Sequence, residues 1–150
     1  MENRYVQRTI ELAEAAVLNG DHPFGALIAL EDRILLEAKN TVNSEHDVTR
    51  HAEMNLISAA TRQFSADVLR NVTIYCNTEP CVMCIGAIYW AGIRKIVFAC
   101  SSSKLKNLTH DPFLKSCSDV LGDCEKYFEI LEYFQDVRAI KIHQSYWPNN

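Results

Sequence analysis

A chain of 150 residues with 48% hydrophobic and 23% charged side chains has the size and composition of one globular domain, so we expect residues 1–150 to form a single unit. The formal net charge of −4 argues against a large phosphate-binding surface, because nonspecific affinity for nucleic acids is mainly electrostatic. No apolar run is long enough to cross a bilayer and the first four residues do not start a signal peptide, so a cytoplasmic location is the default expectation.

The N-terminal segment predicts a helix followed by a β-hairpin. Apolar residues recur every three or four positions over residues 4–19, which predicts an amphipathic helix that ends at Gly20. Two β-rich runs, 24–30 and 33–40, flank a turn at residues 31–32. These runs are therefore expected to pair as antiparallel strands.

Between residues 41 and 99 the sequence alternates between helical and extended patterns. After a polar loop, the predicted elements are a helix over 51–61, a strand over 72–77, a helix over 81–91 and a strand over 95–99. Such alternation implies crossover connections and at least partly parallel strand pairing. We therefore predict an α/β fold, a three-layer α/β/α sandwich on a five-stranded mixed sheet.

The last fifty residues give a weaker pattern. A polar loop from 101 to about 112 and a short helix over 113–120 are expected. Residues 125–134 fit both a helix and an alternating strand. We favour the helix, because residues 137–142 alternate more clearly and are taken as the fifth strand. Residues 143–150 are expected to form a tail.

Two short motifs, each at the start of a predicted helix, carry the chemistry. His51 and Glu53 open the first helix, and Cys81 and Cys84 open the second, directly after Pro80. Zinc binds imidazole nitrogen and thiolate sulfur, and a catalytic zinc uses three protein ligands with water in the fourth position. His51, Cys81 and Cys84 supply three such ligands. Glu53 is then free to handle the protons of that water.

Each motif alone has an ordinary interpretation. A lone Cys-x-x-Cys pair also suits a redox protein or half of a structural zinc site, and a lone His-x-Glu carries little information. Their combination favours a catalytic zinc site, since unpaired N–H groups and the helix dipole stabilise thiolates at a helix start. The remaining cysteines are expected to be reduced and mostly buried, namely Cys76, Cys100, Cys117 and Cys124.

The pattern His51-x-Glu53 followed by Pro80-Cys81-x-x-Cys84 resembles the cytidine deaminase-like superfamily of zinc nucleobase and nucleoside deaminases. Residues 50–54 and 78–88 carry the resemblance, which extends to about residue 99. Residues 22–26 and 85–91 are most similar to the guanine deaminase branch. The resemblance implies bound Zn²⁺ and the hydrolysis of guanine to xanthine and ammonia. Glu53 would carry a proton from water to the ring nitrogen beside the reacting carbon.

The resemblance also implies contacts with the base. The residues expected to contribute are Phe24, Asn40, Ala52, Glu79, Asp111 and Trp147. Phe24 would stack on the ring, Asn40 would bond its edge, and the backbone at Ala52 and at residues 78–79 would hydrogen-bond it. Asp111 and the aromatic tail would enclose a purine. The ordinary interpretations are a core aromatic for Phe24, a turn residue for Asn40 and a helix cap for Asp111. His22 and His46 are taken as surface residues.

Other functions share the same catalytic atoms. A tRNA-specific adenosine deaminase would need a basic face, which the tail does not obviously supply, and a cytosine deaminase is equally compatible with the motifs. An inactive zinc-stabilised binding module is the non-enzyme alternative, although such a site has no use for the unliganded Glu53. A small-molecule substrate, no membrane partner and a homodimer are expected, with the tail closing over its own active site or the neighbour's.

Overall fold

The structure is a computed structural model that describes residues 2–133 and 136–147. Its helices within these residues are α1 (Glu2–Leu18), α2 (Val42–Glu45), α3 (Ala52–Gln63), α4 (Ala66–Asn71), α5 (Val82–Ala91), α6 (Ser102–Thr109), α7 (Cys117–Leu121), a 3-10 helix (Gly122–Tyr127) and α8 (Arg138–Tyr146). The strands are β1 (Gly25–Leu30), β2 (Arg33–Lys39), β3 (Thr73–Thr78), β4 (Lys95–Cys100) and β5 (Glu129–Glu132). None of these helices is long and apolar enough to cross a membrane.

The strands form a mixed sheet in the order β2-β1-β3-β4-β5. β1 pairs antiparallel with both β2 and β3, as a tight hairpin requires for the first pair. β3–β4 and β4–β5 pair in parallel, and each pair is joined by a helical crossover. The predicted five-stranded mixed sheet is therefore confirmed.

Each face of the sheet carries its own hydrophobic core, because side chains alternate along the strands. One core joins strand residues such as Ile28 and Ile74 to helices α3 and α5 through Leu56 and Ile88. The opposite core joins the alternate strand residues to helices α1, α6 and α8. Both faces of the sheet are thus covered by helices, which confirms the three-layer α/β/α sandwich.

Two predictions for the C-terminal third are wrong. Residues 129–132 are strand β5 rather than helix, because the edge of β4 pairs with them, with Lys95 opposite Glu129 and Phe98 opposite Glu132. Residues 138–146 are helix α8 rather than the fifth strand. α8 buries Ala139 and His143, which lie four residues apart on one side of the helix. Residues 134–135 and 148–150 lie outside the described residues.

Smaller differences concern loops. The segment predicted as a polar loop after β4 contains α6, which begins where the Ser101 side chain accepts the N–H of Lys104 at 3.2 Å. The short helix predicted over residues 113–120 starts at Cys117, after the N-cap Ser116. Helices α2 and α4 are short elements that the sequence pattern does not predict.

Gly25 sets how closely β1 approaches α1. A Cβ atom at this position would lie 2.3 Å from the carbonyl oxygen of Thr9 and 2.6 Å from the Cβ of Leu12. Only glycine fits such a contact without moving the helix or the strand. The tight packing fixes the start of β1, and with it the preceding residue Phe24.

Candidate active site

The two motifs meet at the N-termini of α3 and α5, which pack side by side on one face of the sheet. His51 is the N-cap of α3 and Cys81 is the N-cap of α5, and neither side chain accepts a capping hydrogen bond. Glu53 and Cys84 follow in the first turns of the same helices. The unpaired N–H groups and positive dipole ends of two helices therefore face the same site, as suits thiolate ligands.

The three expected ligands form a compact triangle. His51 Nδ1 lies 3.5 Å from Cys81 Sγ and 3.6 Å from Cys84 Sγ, and the two sulfurs are 3.6 Å apart. Tetrahedral zinc, with bonds of about 2.3 Å to sulfur and 2.0 Å to nitrogen, holds two sulfurs about 3.8 Å apart and a nitrogen about 3.5 Å from each. Within the described ranges this is the one group of such side chains placed to hold a metal. The side chains fit zinc.

Electrostatics in the triangle stabilise a thiolate. The contact between the two cysteine sulfurs, followed by the hydrogen bond with His51, lowers the pKa of Cys81 to about 4. The hydrogen bond to Cys81 and burial raise the pKa of Cys84, and the contact with Cys81 raises the pKa of His51. A divalent cation replaces the protons that these groups otherwise share.

Glu53 is buried directly beside the triangle. Its side chain is 4% exposed, and its Oε2 accepts a hydrogen bond from Cys84 Sγ at 3.0 Å. Burial raises the pKa of this carboxyl. The preceding residue Ala52 is fully buried as the first residue of α3, so its N–H has no acceptor within the helix. Both groups lie in the first turn of α3, directly after the expected metal ligand His51.

Asn40 and Phe24 lie together where the hairpin meets α3. The N–H of Asn40 donates to the carbonyl oxygen of Phe24 at 3.0 Å. The Asn40 side chain is buried, and its Oδ1 accepts the N–H of Val42 at 3.0 Å. Asn77 fixes the neighbouring backbone, since its amide accepts from Gly25 N–H at 2.9 Å and donates to the carbonyl oxygen of Pro23 at 3.0 Å.

The C-terminal helix closes against the same region of its own chain. The Trp147 ring stacks on His22 with a centroid distance of 5.6 Å and lies 6.2 Å from the ring of Phe24. The Tyr146 hydroxyl lies 2.9 Å from His22 Nδ1. Burial lowers the pKa of His22, and the charge of His51 lowers it further. Trp147 thus joins Phe24 near the site in cis.

Glu79 holds the site together through its side chain. The carboxylate is 9% exposed and accepts the N–H of Ser102 at 2.8 Å and the N–H of Cys117 at 2.6 Å. These residues begin α6 and α7, so one carboxylate caps two helices. The Glu79 N–H also donates to the carbonyl oxygen of Cys100 at 2.8 Å. These three hydrogen bonds of Glu79 hold the segment that leads into Cys81.

Asp111 is not brought together with the other predicted site residues by any contact in the described ranges. It is exposed, and its Oδ1 accepts the N–H of Phe113 at 2.9 Å, as in an ordinary Asx turn. Its contact with a purine stays a prediction. His46 is likewise exposed, at the C-cap of α2.

Sequence reasoning missed His143 and the function of Thr78 beyond its backbone. His143 is fully buried, with Nε2 at 2.6 Å from Thr78 Oγ1 and Nδ1 accepting from Trp147 Nε1 at 2.9 Å. The signal was present as the spacing of four between residues 139, 143 and 147, but a histidine does not count as apolar in such a pattern.

Comparison with known proteins agrees with this geometry. Residues 1–100 match the family model for the cytidine and deoxycytidylate deaminase zinc-binding region. The chain is 34% identical over 149 residues to a probable cytosine deaminase of Schizosaccharomyces pombe, which covers 95% of this chain and 90% of that protein. It is 26% identical over 149 residues to tRNA-specific adenosine deaminase 2 of Xenopus tropicalis, which covers 95% of this chain and 86% of that protein.

Among solved structures, the guanine deaminase of Bacillus subtilis superposes with a TM-score of 0.63 at 27% identity, over 99% of this chain and 94% of that chain. Relatives thus include deaminases of two free bases and of a tRNA. They share the hydrolytic release of ammonia from a base, for which the triangle and the buried carboxylate beside it are suited. The chain belongs to the cytidine and deoxycytidylate deaminase family of zinc-binding hydrolytic deaminases.

Proposed function

We propose that the protein is a zinc-dependent guanine deaminase that converts guanine and water to xanthine and ammonia. The observation that carries this proposal is the closure of the C-terminal helix in cis, where Trp147 packs on His22 and beside Phe24. The three rings of His22, Phe24 and Trp147 form an aromatic wall, which suits a flat base held on its faces. A bicyclic purine buries more area against such a wall than a pyrimidine does, which favours guanine.

Asn40 is proposed to read a carbonyl group on the base. Because its Oδ1 already accepts the N–H of Val42, the amide orientation leaves Nδ2 as the group that faces a ligand. No residue in the described part of the chain accepts a hydrogen bond from this Nδ2. This donor, on an otherwise buried side chain, favours a base with a carbonyl oxygen, which guanine has and adenine lacks. The N–H of Ala52 and the backbone carbonyl of Glu79 are proposed to bond the same base.

Glu53 is proposed to move the protons. His51, Cys81 and Cys84 would hold the metal, and bound zinc supplies a water whose pKa is lowered toward neutrality. The Glu53 carboxylate is not one of the metal ligands, yet Glu53 is buried and its Oε2 lies 3.0 Å from Cys84 Sγ. It can accept a proton from the attacking water, donate it to the ring nitrogen beside the amine-bearing carbon, and assist the departure of ammonia.

The tail argues against a tRNA substrate. An RNA-binding face needs exposed basic side chains. After Arg138 the sequence contains Lys141 and His143 as its basic residues, and His143 is fully buried. The Arg138 guanidinium is paired with Asp136 at 2.8 Å. The aromatic tail therefore closes the site without offering a basic surface to an anticodon loop.

Cytosine is the second candidate. The full-length similarity to the probable cytosine deaminase, at 34% identity, is higher than the 27% identity to the solved guanine deaminase. Cytosine also carries a carbonyl group that the Asn40 amide could read. The two proposals share every residue near the zinc triangle and differ in the size of the base that the aromatic wall accepts.

We also propose that the protein is a homodimer formed through α5. This helix contains no charged or polar side chain other than the zinc ligand Cys84 and Tyr89, so a water-facing surface is unexpected for it. Cys84, Ile85 and Ile88 are buried, whereas Trp90 on the outer face is 84% exposed. A second copy that covers this face would bury the exposed indole and stabilise the helix that carries the metal ligands.

The proposed activity is tested by measuring ammonia release from guanine, cytosine, adenine, their nucleosides and a tRNA anticodon stem-loop with zinc-loaded protein. Turnover of guanine above all other substrates supports the proposal. Preference for cytosine replaces it with the second candidate. Turnover confined to the stem-loop contradicts the account of the tail.

A further inference from the structure

His143 is the largest polar side chain that is completely buried outside the metal site. It lies on α8, where the flanking residues Lys141, Gln144 and Ser145 are exposed, and it packs 5.3 Å from the ring of Phe24. A buried imidazole is costly unless both ring nitrogens are hydrogen-bonded. Both are: Nε2 meets Thr78 Oγ1 at 2.6 Å and Nδ1 meets Trp147 Nε1 at 2.9 Å.

The chemistry of the partners fixes the tautomer of His143. An indole N–H can only donate, so Nδ1 of His143 must be the unprotonated acceptor. The proton therefore resides on Nε2 and is donated to Thr78 Oγ1. Burial lowers the pKa of His143 to about 4, so the ring is neutral near pH 7. A doubly protonated ring would have no acceptor for the indole.

Both ends of this chain of hydrogen bonds lie at functionally important places. Thr78 is the last residue of β3 and directly precedes the Glu79-Pro80-Cys81 segment. Trp147 has one polar atom, and its bond to His143 fixes the rotation of the indole plane. That plane is the one stacked at 22° to the ring of His22. These two hydrogen bonds therefore set the orientation of the Trp147 ring relative to β3, the strand that leads into Cys81.

We propose that His143 is a positioning residue for substrate binding, which orients Trp147 against the bound base through its Nδ1 atom while its Nε2 atom ties α8 to the end of β3. This inference rests on the proposed function, in which Trp147 forms one wall of the base site. His143 itself does not contact the reacting atoms. Its substitution should therefore change KM rather than kcat, because the wall contributes to binding in the ground state and the transition state alike.

Two conservative substitutions separate the two hydrogen bonds. In His143→Asn the side-chain oxygen takes the place of Nδ1 and can still accept the indole N–H, whereas the bond to Thr78 is lost. In His143→Gln the amide nitrogen takes the place of Nε2 and can still donate to Thr78, whereas the acceptor for Trp147 is lost. Lys141→Gln, on the exposed side of the same helix, is the matched control.

The kinetic measurement uses the fastest substrate of the panel above. KM for His143→Gln should exceed KM for His143→Asn by about fivefold, the equivalent of one hydrogen bond of about 1 kcal/mol, with similar kcat. Trp147→Phe, which keeps a smaller aromatic ring and removes the N–H, should raise KM at least as much as His143→Gln does. The double variant should add nothing further. Equal KM values for the Asn and Gln variants, or additive effects in the double variant, would overturn the proposal.

A second readout does not depend on any substrate. The chain contains two tryptophans, so Trp90→Phe leaves Trp147 as the sole indole fluorophore. In that background His143→Gln should shift the emission to the red and increase acrylamide quenching more than His143→Asn does. Unchanged emission in the Gln variant would show that the hydrogen bond from Trp147 to His143 does not hold the indole, and would overturn the proposal. A shifted emission with no turnover of any free base instead contradicts the proposed function, while it supports the hydrogen bond from Trp147 to His143.

Discussion

The Nδ1 atom of His22 lies 2.9 Å from the hydroxyl oxygen of Tyr146, 124 positions later in the sequence. Together with the stacking of Trp147 on His22, this contact returns the C-terminal helix to the start of β1 in the same chain. The sequence left open whether the tail would close over its own site or that of a neighbour. In this structure the aromatic residues Tyr146 and Trp147 contact His22 of their own chain.

Truncating the tail aromatic should weaken substrate binding. Trp147→Ala removes the ring that stacks on His22 and lies beside Phe24, so KM for the base should rise about five- to 150-fold, the equivalent of about 1–3 kcal/mol of lost stacking. Zinc content should stay unchanged, because no metal ligand is touched. Phe113→Ala, an aromatic truncation at an exposed position, is the control. A variant that loses melting temperature but keeps its KM would show that Trp147 serves only packing.

Glu53→Gln should keep the fold and the zinc but lose turnover. The amide preserves the size of the buried side chain, whereas it cannot accept a proton from water. General acid–base groups contribute roughly 10²–10⁴-fold to rates, so kcat should fall by at least about 10². Glu129→Gln, on an exposed face of β5, should leave kcat unchanged. Substantial activity in the Glu53 variant, measured at full zinc occupancy, would remove Glu53 from the mechanism.

Metal removal should cost both activity and stability. His51, at the start of α3, and Cys81 and Cys84, at the start of α5, would be tied together by one ion, so chelation should lower the melting temperature as well as abolish turnover. Metal analysis should find about one zinc per chain, and Cys81→Ser should lose it. If the chelated protein and the untreated protein melt at the same temperature, a metal ion held by these three residues does not stabilise the fold.

Acid should destabilise the fold through His143. Its pKa falls from the usual 6.5 to about 4 on folding, so the unfolded chain binds more protons between these values. The stabilisation is complete above pH 6.5 and is lost as the pH falls toward 4. Between pH 7 and pH 4.5 wild type should lose roughly 2–3 kcal/mol more unfolding free energy than His143→Asn, which cannot titrate. Urea unfolding of both proteins across this range measures the difference, and parallel curves would contradict it.

The proposed dimer predicts a concentration-dependent assembly. Trp90→Lys places a charge on the exposed apolar face of α5, near the C-terminal end of the helix, and should convert a dimer to a monomer in sedimentation equilibrium. Leu18→Lys is the control, since Leu18 is 90% exposed at the end of α1 on the opposite layer. A wild-type protein that remains monomeric at high concentration would rule out the α5 interface.

The metal triangle could be predicted from the sequence because it depends on short-range order. His51 and Glu53 lie at the start of one amphipathic helix, and Cys81 and Cys84 lie at the start of another. Parallel strands before and after such helices bring their N-termini to the same edge of the sheet. The proposed base site depends instead on contacts between α8 and residues far away in the sequence, such as Trp147 with His22 and His143 with Thr78. The local sequence pattern carried little information on these contacts.

The error over the fifth strand has a specific physical cause. Apolar residues 127, 130, 131 and 134 fit a helical stripe as well as an alternating strand, and the free edge of β4 decided the matter. In α8 the stripe runs through Ala139 and the buried His143, so a polar residue occupies a core position. His143 interrupts the apolar pattern that would have predicted this helix, and the same residue hydrogen-bonds Trp147 in the structure.

The ratio of kcat/KM for guanine to kcat/KM for cytosine, measured with zinc-loaded wild-type protein, tests the central proposal most directly. The aromatic wall of His22, Phe24 and Trp147 predicts a ratio of at least about ten, since burial of a second ring is worth more than 1.4 kcal/mol. A ratio below one would contradict the assignment of guanine and make the protein a cytosine deaminase.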